Sequence, residues 1–233
     1  HRPRLAVIIP DFHNPLGVSL TIEKRQRIAQ LAGAYGVPVV EDDPYSALRF
    51  DGEMLKPIKA YDDSGYVFYL GSFSKMLAPG LRLGWMVAPT DLLPRLITIR
   101  ESIDLESSAL TQRAVFELLS QGGLEPHLKR LNAENGIRCQ TMLNALDEHF
   151  GDFSHWTQPE GGLFVWLTLP ENIDAWELLP KAIEQHKVAF IPGGAFAVEG
   201  GHRNTMRLNF SAVQSDVIQE GIARLAMLVR SKL

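Results

Sequence analysis

Cysteine is nearly absent: the 233 residues hold one, Cys139. A lone thiol has no partner within the chain, which excludes a disulfide-stapled scaffold and fits a reducing compartment. Cys139 falls in a helical stretch and is expected to be buried and inert. No apolar run approaches the roughly 20 residues that a membrane-spanning helix needs, and the amino terminus lacks the charged-then-apolar plan of a signal peptide. A soluble, cytoplasmic protein is therefore expected. Charge of one sign is not in excess either, since 23 Lys and Arg against 27 Asp and Glu leave a net charge of −4. No basic stripe favours nucleic acid and no polybasic run favours an anionic membrane surface. An initiator Met is also missing: HRPRLAVIIP runs directly into a strand-like segment, as the middle of a domain would.

The composition does include 45% apolar residues, enough for a substantial core in one large domain or two modest ones. Leu5 to Ile9 is a continuous apolar run, the pattern of a strand buried on both faces of a parallel sheet. A helix is expected from Thr21, its N-cap, to Gly36, its C-cap, with Ile28, Leu31, Ala32 and Tyr35 on one face. Val37 to Val40 then reads as a second strand, so strand, helix and strand form a crossover unit. Tyr66 to Leu70 and Trp85 to Val87 read as further strands. Beyond a long helix at about Pro126 to Phe150 the strands become shorter and more alternating: Leu163 to Leu169, Val188 to Ile191 and Met206 to Phe210. Helical stretches at Ala175 to His186 and Ser215 to Lys232 separate and follow them. The expected fold class is α/β, with a parallel-rich sheet flanked by helices over residues 1–125 and a smaller α+β domain over 126–233.

The unusual residues gather at strand ends, where ligands bind in open α/β sheets. Glu41, Asp42 and Asp43 close the second strand. After the third, Ser72-Phe73-Ser74-Lys75 leads to Ala78-Pro79-Gly80-Leu81-Arg82, placing two hydroxyls and two cations on one loop. A neighbouring cation and partial burial lower a lysine's pKa, and the neutral amine is the form that attacks an aldehyde. Arg82 can grip a phosphate through its planar fork. Arg207 alternates with Met206 and Leu208, so its side chain leaves the apolar face.

SFSKMLAPGLRLGW resembles the lysine segment of fold-type I pyridoxal-phosphate enzymes, the aspartate aminotransferase superfamily. PDFHNPLG resembles that family's Asn-Pro-x-Gly loop, EDDPY its Asp-x-x-Tyr segment, and MRLNFS its carboxylate-binding arginine segment. All four occur in the family's order and together span essentially the whole chain. The Ala-Pro-Gly-Leu-Arg spacing matches the aminoadipate-type aminotransferases and the MocR-type regulators.

The resemblance implies pyridoxal 5'-phosphate as cofactor, an amino acid and a 2-oxo acid as substrates, a homodimer, and no metal. It makes Lys75 the lysine that bonds covalently to the cofactor and later moves a proton at the substrate α-carbon. Asp42 pairs with the pyridine nitrogen, Asn14 and Tyr45 with the phenolic oxygen, and Ser72 and Arg82 with the phosphate. Ser74 counts among the cofactor-binding residues. Arg207, with Asn14, receives the substrate carboxylate. Pro159 to Gly162 with Phe164 and Trp166, and Pro192 to Gly194 with Phe196, resemble substrate-side loops. The family's upstream phosphate loop and ring-stacking aromatic have no counterpart in these 233 residues, so this chain alone is expected to be inactive or nearly so. A second reading is the effector half of a MocR-type regulator, in which DNA is a partner only through a winged-helix domain upstream. β-Lyase, decarboxylase or racemase chemistry uses the same scaffold.

Overall fold

The computed structural model describes residues 3–233, so residues 1 and 2 of the expected first domain lie outside the described residues. Two compact units are formed: His1–Asp11 with Ser19–Leu131, and Phe12–Val18 with Asn132–Leu233.

The first unit is built on a four-stranded sheet. Strand β1 (Ala6–Ile8) leads to helix α1 (Ile22–Tyr35), and β2 (Val39–Asp43) returns parallel to β1 with Ala6 opposite Val39. Thr21 caps α1 by accepting the Lys24 amide, and Gly36 ends it at φ 61°, a left-handed conformation that costs glycine little. β3 (Val67–Ser72) lies parallel to β2, and β4 (Gly84–Val87) antiparallel to β3, in the order β1-β2-β3-β4. The loop Phe73–Leu83 is too short for a parallel crossover, which takes about a dozen residues or more, so β4 turns back. Helices α2 (Leu93–Ile103), α3 (Ala109–Ser120) and the first turns of α4 (Leu124–Phe150) follow. Ala29 and Ala32 of α1 pack on Val39, Ile58 and Val67 to form the core.

Three local expectations change in this unit, and in the second unit the strand expected at Val188 to Ile191 is confined to Ile191–Pro192. β2 continues through Glu41, Asp42 and Asp43 instead of stopping at Val40. The buried face of α1 is Arg25, Ala29 and Ala32, while Tyr35 is 75% exposed. Arg25 turns inward because Asp11 meets it in a buried two-pronged pair, Nη2 to Oδ1 at 2.7 Å and Nη1 to Oδ2 at 2.9 Å. In β1, Val7 is 65% exposed, so that strand is not buried on both faces among the described residues.

The second unit holds a separate sheet. Strands β5 (His155–Trp156) and β6 (Phe164–Thr168) precede helix α5 (Ala175–His186). Then come β7 (Ile191–Pro192), β8 (Thr205–Asn209) and helix α6 (Ser215–Arg230). All pairings are antiparallel, in the order β5-β6-β8-β7. Val165, Leu167, Met206 and Leu208 of the sheet are buried, as are Leu146 and Phe150 of α4 and Leu225 and Val229 of α6. Full burial of such a side chain is worth about 1.5–3 kcal/mol. Cys139 is buried too, and burial pushes its thiol up to about 12, which leaves it unreactive. Among the described residues no helix is long and apolar enough to cross a membrane.

Candidate functional site

In the first unit the parallel strands end at one edge, which gathers Asp42 and Asp43 of β2 with Ser72 of β3. The pleat sends alternate side chains of β2 to opposite faces. Glu41 and Asp43 are buried together and are consumed by the fold. Glu41 accepts the backbone amides of Ile58 and Lys59 at 2.7 and 2.8 Å. Asp43 accepts the Ser46 amide and hydroxyl and, at 2.8 Å, the Tyr69 hydroxyl. Asp42, on the other face, is half-buried, and its side chain makes no hydrogen bond or ion pair among the described residues. Burial, and secondarily the charge of Asp43, hold its carboxyl above the usual range. A carboxylate so placed gains most from a cationic partner. Tyr45 follows on the next turn with its ring buried.

The loop after β3 is closed at its base, where the Phe73 amide donates to the Leu83 carbonyl at 3.1 Å. Inside it, Ser72 Oγ accepts the Ser74 amide at 3.1 Å, and the Leu77 amide donates to the Phe73 carbonyl at 2.9 Å. Met76 is buried while Lys75 beside it is exposed, so the turn is anchored by one residue and presents the next. Arg82 sits at φ 51° with its guanidinium Nη1 donating to the Pro79 carbonyl at 3.2 Å. Lys75 and Arg82 thus share one closed loop at the carboxyl edge of the sheet. Among the described residues no hydrogen bond or ion pair joins Lys75 to Asp42 or to Arg82.

In the second unit the segment Phe12–Val18 carries Asn14. His13 and Gly17 close it through His13 N to Val18 O at 2.9 Å and Gly17 N to His13 O at 2.7 Å. It lies so close to β6 that a Cβ on Gly17 would stand 2.3 Å from the Phe164 carbonyl oxygen. On β8, Met206 and Leu208 point into the core and Arg207 points away. Its Nη1 donates to Asn14 Oδ1 at 2.6 Å, and its guanidinium carbon lies 4.3 Å from the Phe164 ring centre and 5.3 Å from that of Phe196. The two rings and the amide hold a cationic fork in place. With Asn14 oxygen given to Arg207, the amide nitrogen is left as a donor. Phe164 and Phe196 therefore do more than fill a core. The buried pair of Asp11 and Arg25 at the end of β1 is not legible in the sequence, since residues 14 apart carry no signal of pairing.

A lysine on a loop at the carboxyl edge of a mostly parallel sheet, a carboxylate at the end of the adjacent strand, and a small antiparallel domain with an aromatic-clamped arginine are the parts of the fold-type I pyridoxal-phosphate architecture. The chain belongs to the family "Aminotransferase class I and II", whose model matches residues 2–225. It is 42% identical over 99% of its length to aromatic-amino-acid aminotransferase 1 of Thermococcus litoralis, covering 55% of that protein. To the 2-aminoadipate transaminase of Thermus thermophilus it is 39% identical over its whole length, covering 59%. The HTH-type transcriptional regulator YisV of Bacillus subtilis is 34% identical over 97% of the chain, which covers 46% of that regulator. The crystal structure of Pyrococcus horikoshii kynurenine aminotransferase in complex with PMP superposes with a TM-score of 0.94 at 41% identity, over 99% of this chain and 57% of that one. The chain thus spans about half the length of the relatives it matches.

Pyridoxal 5'-phosphate is the cofactor that goes with this family, and the donor set fits it. The first unit offers an exposed amine, one carboxylate left over from the fold, a phenol, two loop hydroxyls and a guanidinium, each the chemical complement of a group on that molecule.

Proposed function

We propose that this chain is part of an enzyme that transfers an amino group between an amino acid and a 2-oxo acid. The observation that carries the reading is Asp42, the single acid of three that the fold leaves unused, at the edge where Lys75 is presented. The bound cofactor supplies a carbonyl carbon that exchanges the amino group and a ring that draws electrons from the substrate α-carbon. Lys75 Nζ would hold the cofactor covalently and would move the proton to and from the substrate α-carbon. The Asp42 carboxylate holds a proton on the ring nitrogen. Tyr45 and the Asn14 amide nitrogen donate to the phenolic oxygen, and Ser72, Ser74 and Arg82 take the phosphate. Arg207 receives the substrate carboxylate as a two-pronged donor, with Asn14 orienting it. The full-length protein is proposed to be a cytoplasmic homodimer, and the 233-residue chain alone to be inactive or nearly so.

Borohydride reduction of the full-length protein with cofactor, followed by peptide mapping, is expected to label Lys75. Lys75→Ala should abolish the label and lower transamination by at least about a thousandfold. Labelling at another lysine, or no conversion of cofactor to its amine form with any amino acid, defeats the proposal. A second reading, the effector part of a DNA-binding regulator, is favoured by the similarity to YisV. It is preferred if the full-length protein binds duplex DNA in a salt-dependent way and shows no turnover.

A further inference from the structure

The helix that follows the first unit's sheet reaches back to the lysine loop. His127, in the opening turns of α4, places its ring Nε2 2.9 Å from the carbonyl oxygen of Met76, 51 residues earlier. A carbonyl only accepts, so Nε2 carries the proton, whether the ring is the neutral Nε2–H tautomer or the imidazolium. Met76 is the residue immediately after Lys75. The turn is pinned at its start by the Ser72 and Ser74 bond and across itself by Leu77 and Phe73. Those contacts lie within the loop itself. The His127 bond ties the same turn to a separate element of the unit, and the peptide it holds, Met76–Leu77, lies one residue past the Lys75 Cα.

We propose that His127 is a positioning residue for Lys75, fixing the backbone from which the reactive amine projects. The inference rests on the proposed role of Lys75 only for its catalytic consequence. Covalent and proton-transfer steps depend steeply on the approach of the reacting atom, so a freed turn lowers turnover without altering how substrate is gripped. His127 is half-buried, and water can satisfy the Met76 carbonyl in its absence, so the fold tolerates replacement. Gln is the conservative rescue, because its amide Nε2 offers a donor at a similar reach.

Two measurements on full-length protein test this. Amide hydrogen exchange of the cofactor-free protein is expected to rise about tenfold over residues 73–77 in His127→Ala and to return close to wild type in His127→Gln. In the loaded protein, His127→Ala should lower kcat by about tenfold with KM for the amino acid within about twofold, and His127→Gln should recover most of the loss. Unchanged exchange in His127→Ala overturns the proposal, as does a Gln variant no better than Ala or an effect confined to KM. If borohydride labels Lys75 normally while exchange is unchanged, only the positioning role falls. If it labels a different lysine, the functional reading and the positioning role fall together.

Discussion

Glu41, Asp42 and Asp43 are chemical near-equals in consecutive positions, and the pleat gives them different fates. The two that point inward become structural acceptors, and the one on the other face is left half-buried with its carboxyl held above the usual range. Asp62 shows how much a single buried carboxylate can organise. Burial alone would favour its protonated form, but the Lys59 ammonium at 2.9 Å, the Val67 and Ser64 amides and the Ser64 hydroxyl outweigh that. Its pKa falls well below the usual carboxylate range. A depressed folded-state pKa means stability that is present above the unfolded value and lost as pH falls through the folded one. Asp62→Ala is therefore expected to cost about 2 kcal/mol at neutral pH, the scale of stranding several donors. Urea titrations at descending pH should show wild type and variant converging in strong acid. A gap that stays constant with pH would mean that the carboxylate's charge contributes nothing.

The tight approach of Phe12–Val18 to β6 turns backbone geometry into placement of Asn14 at the scale of the element. Gly17 has φ +69° and no room for a Cβ beside the Phe164 carbonyl. Gly17→Ala is expected to lower stability by about 2 kcal/mol or more, through both strain and steric displacement. A thermal midpoint equal to wild type would show that the segment relaxes at no cost. Legibility in the sequence divides along similar lines. Helix α1 is readable end to end because its caps Thr21 and Gly36 are local signals, although its apolar spacing points to a different face, and α5 is readable over its full span. β2 was read too short because buried acids look like loop residues until their amide and hydroxyl partners are known. Helices α2 and α3 were missed altogether: Ile97, Ile99, Ile103 and Leu110 are exposed, so no apolar stripe faces inward to reveal a helical period. Arg207 was legible as a residue that leaves the apolar face. Its bond to Asn14, 193 residues away, is not legible in the sequence, where the resemblance only assigns both residues to the substrate. The antiparallel turn to β4 follows from the length of the loop Phe73–Leu83.

Apolar surface is unevenly shared in the whole molecule. The core of the second unit is closed around Leu167, Met206, Phe210 and Leu225. The first unit exposes Trp85, Met86 and Val87 along β4, and Ile97 and Leu105 nearby in sequence. Beside them lies an open apolar groove of about 560 Å³ lined by Leu70, Trp85, Met86, Leu93, Leu96 and Ile97. Exposed apolar side chains clustered at an open groove attract an apolar partner. An edge strand with its backbone groups unpaired adds a directional component. The 233-residue chain, prepared alone, is accordingly expected to bind a hydrophobic dye strongly and to sediment as species that grow with concentration. Met86→Lys with Ile97→Glu should suppress both effects while leaving the thermal midpoint within a few degrees, because neither side chain is part of a buried core. The dye reports the patch and sedimentation reports its consequence, so the two must fall together. A chain that stays monomeric and dye-free at high concentration would show that the groove closes on itself in solution and that the first unit needs nothing to cover it.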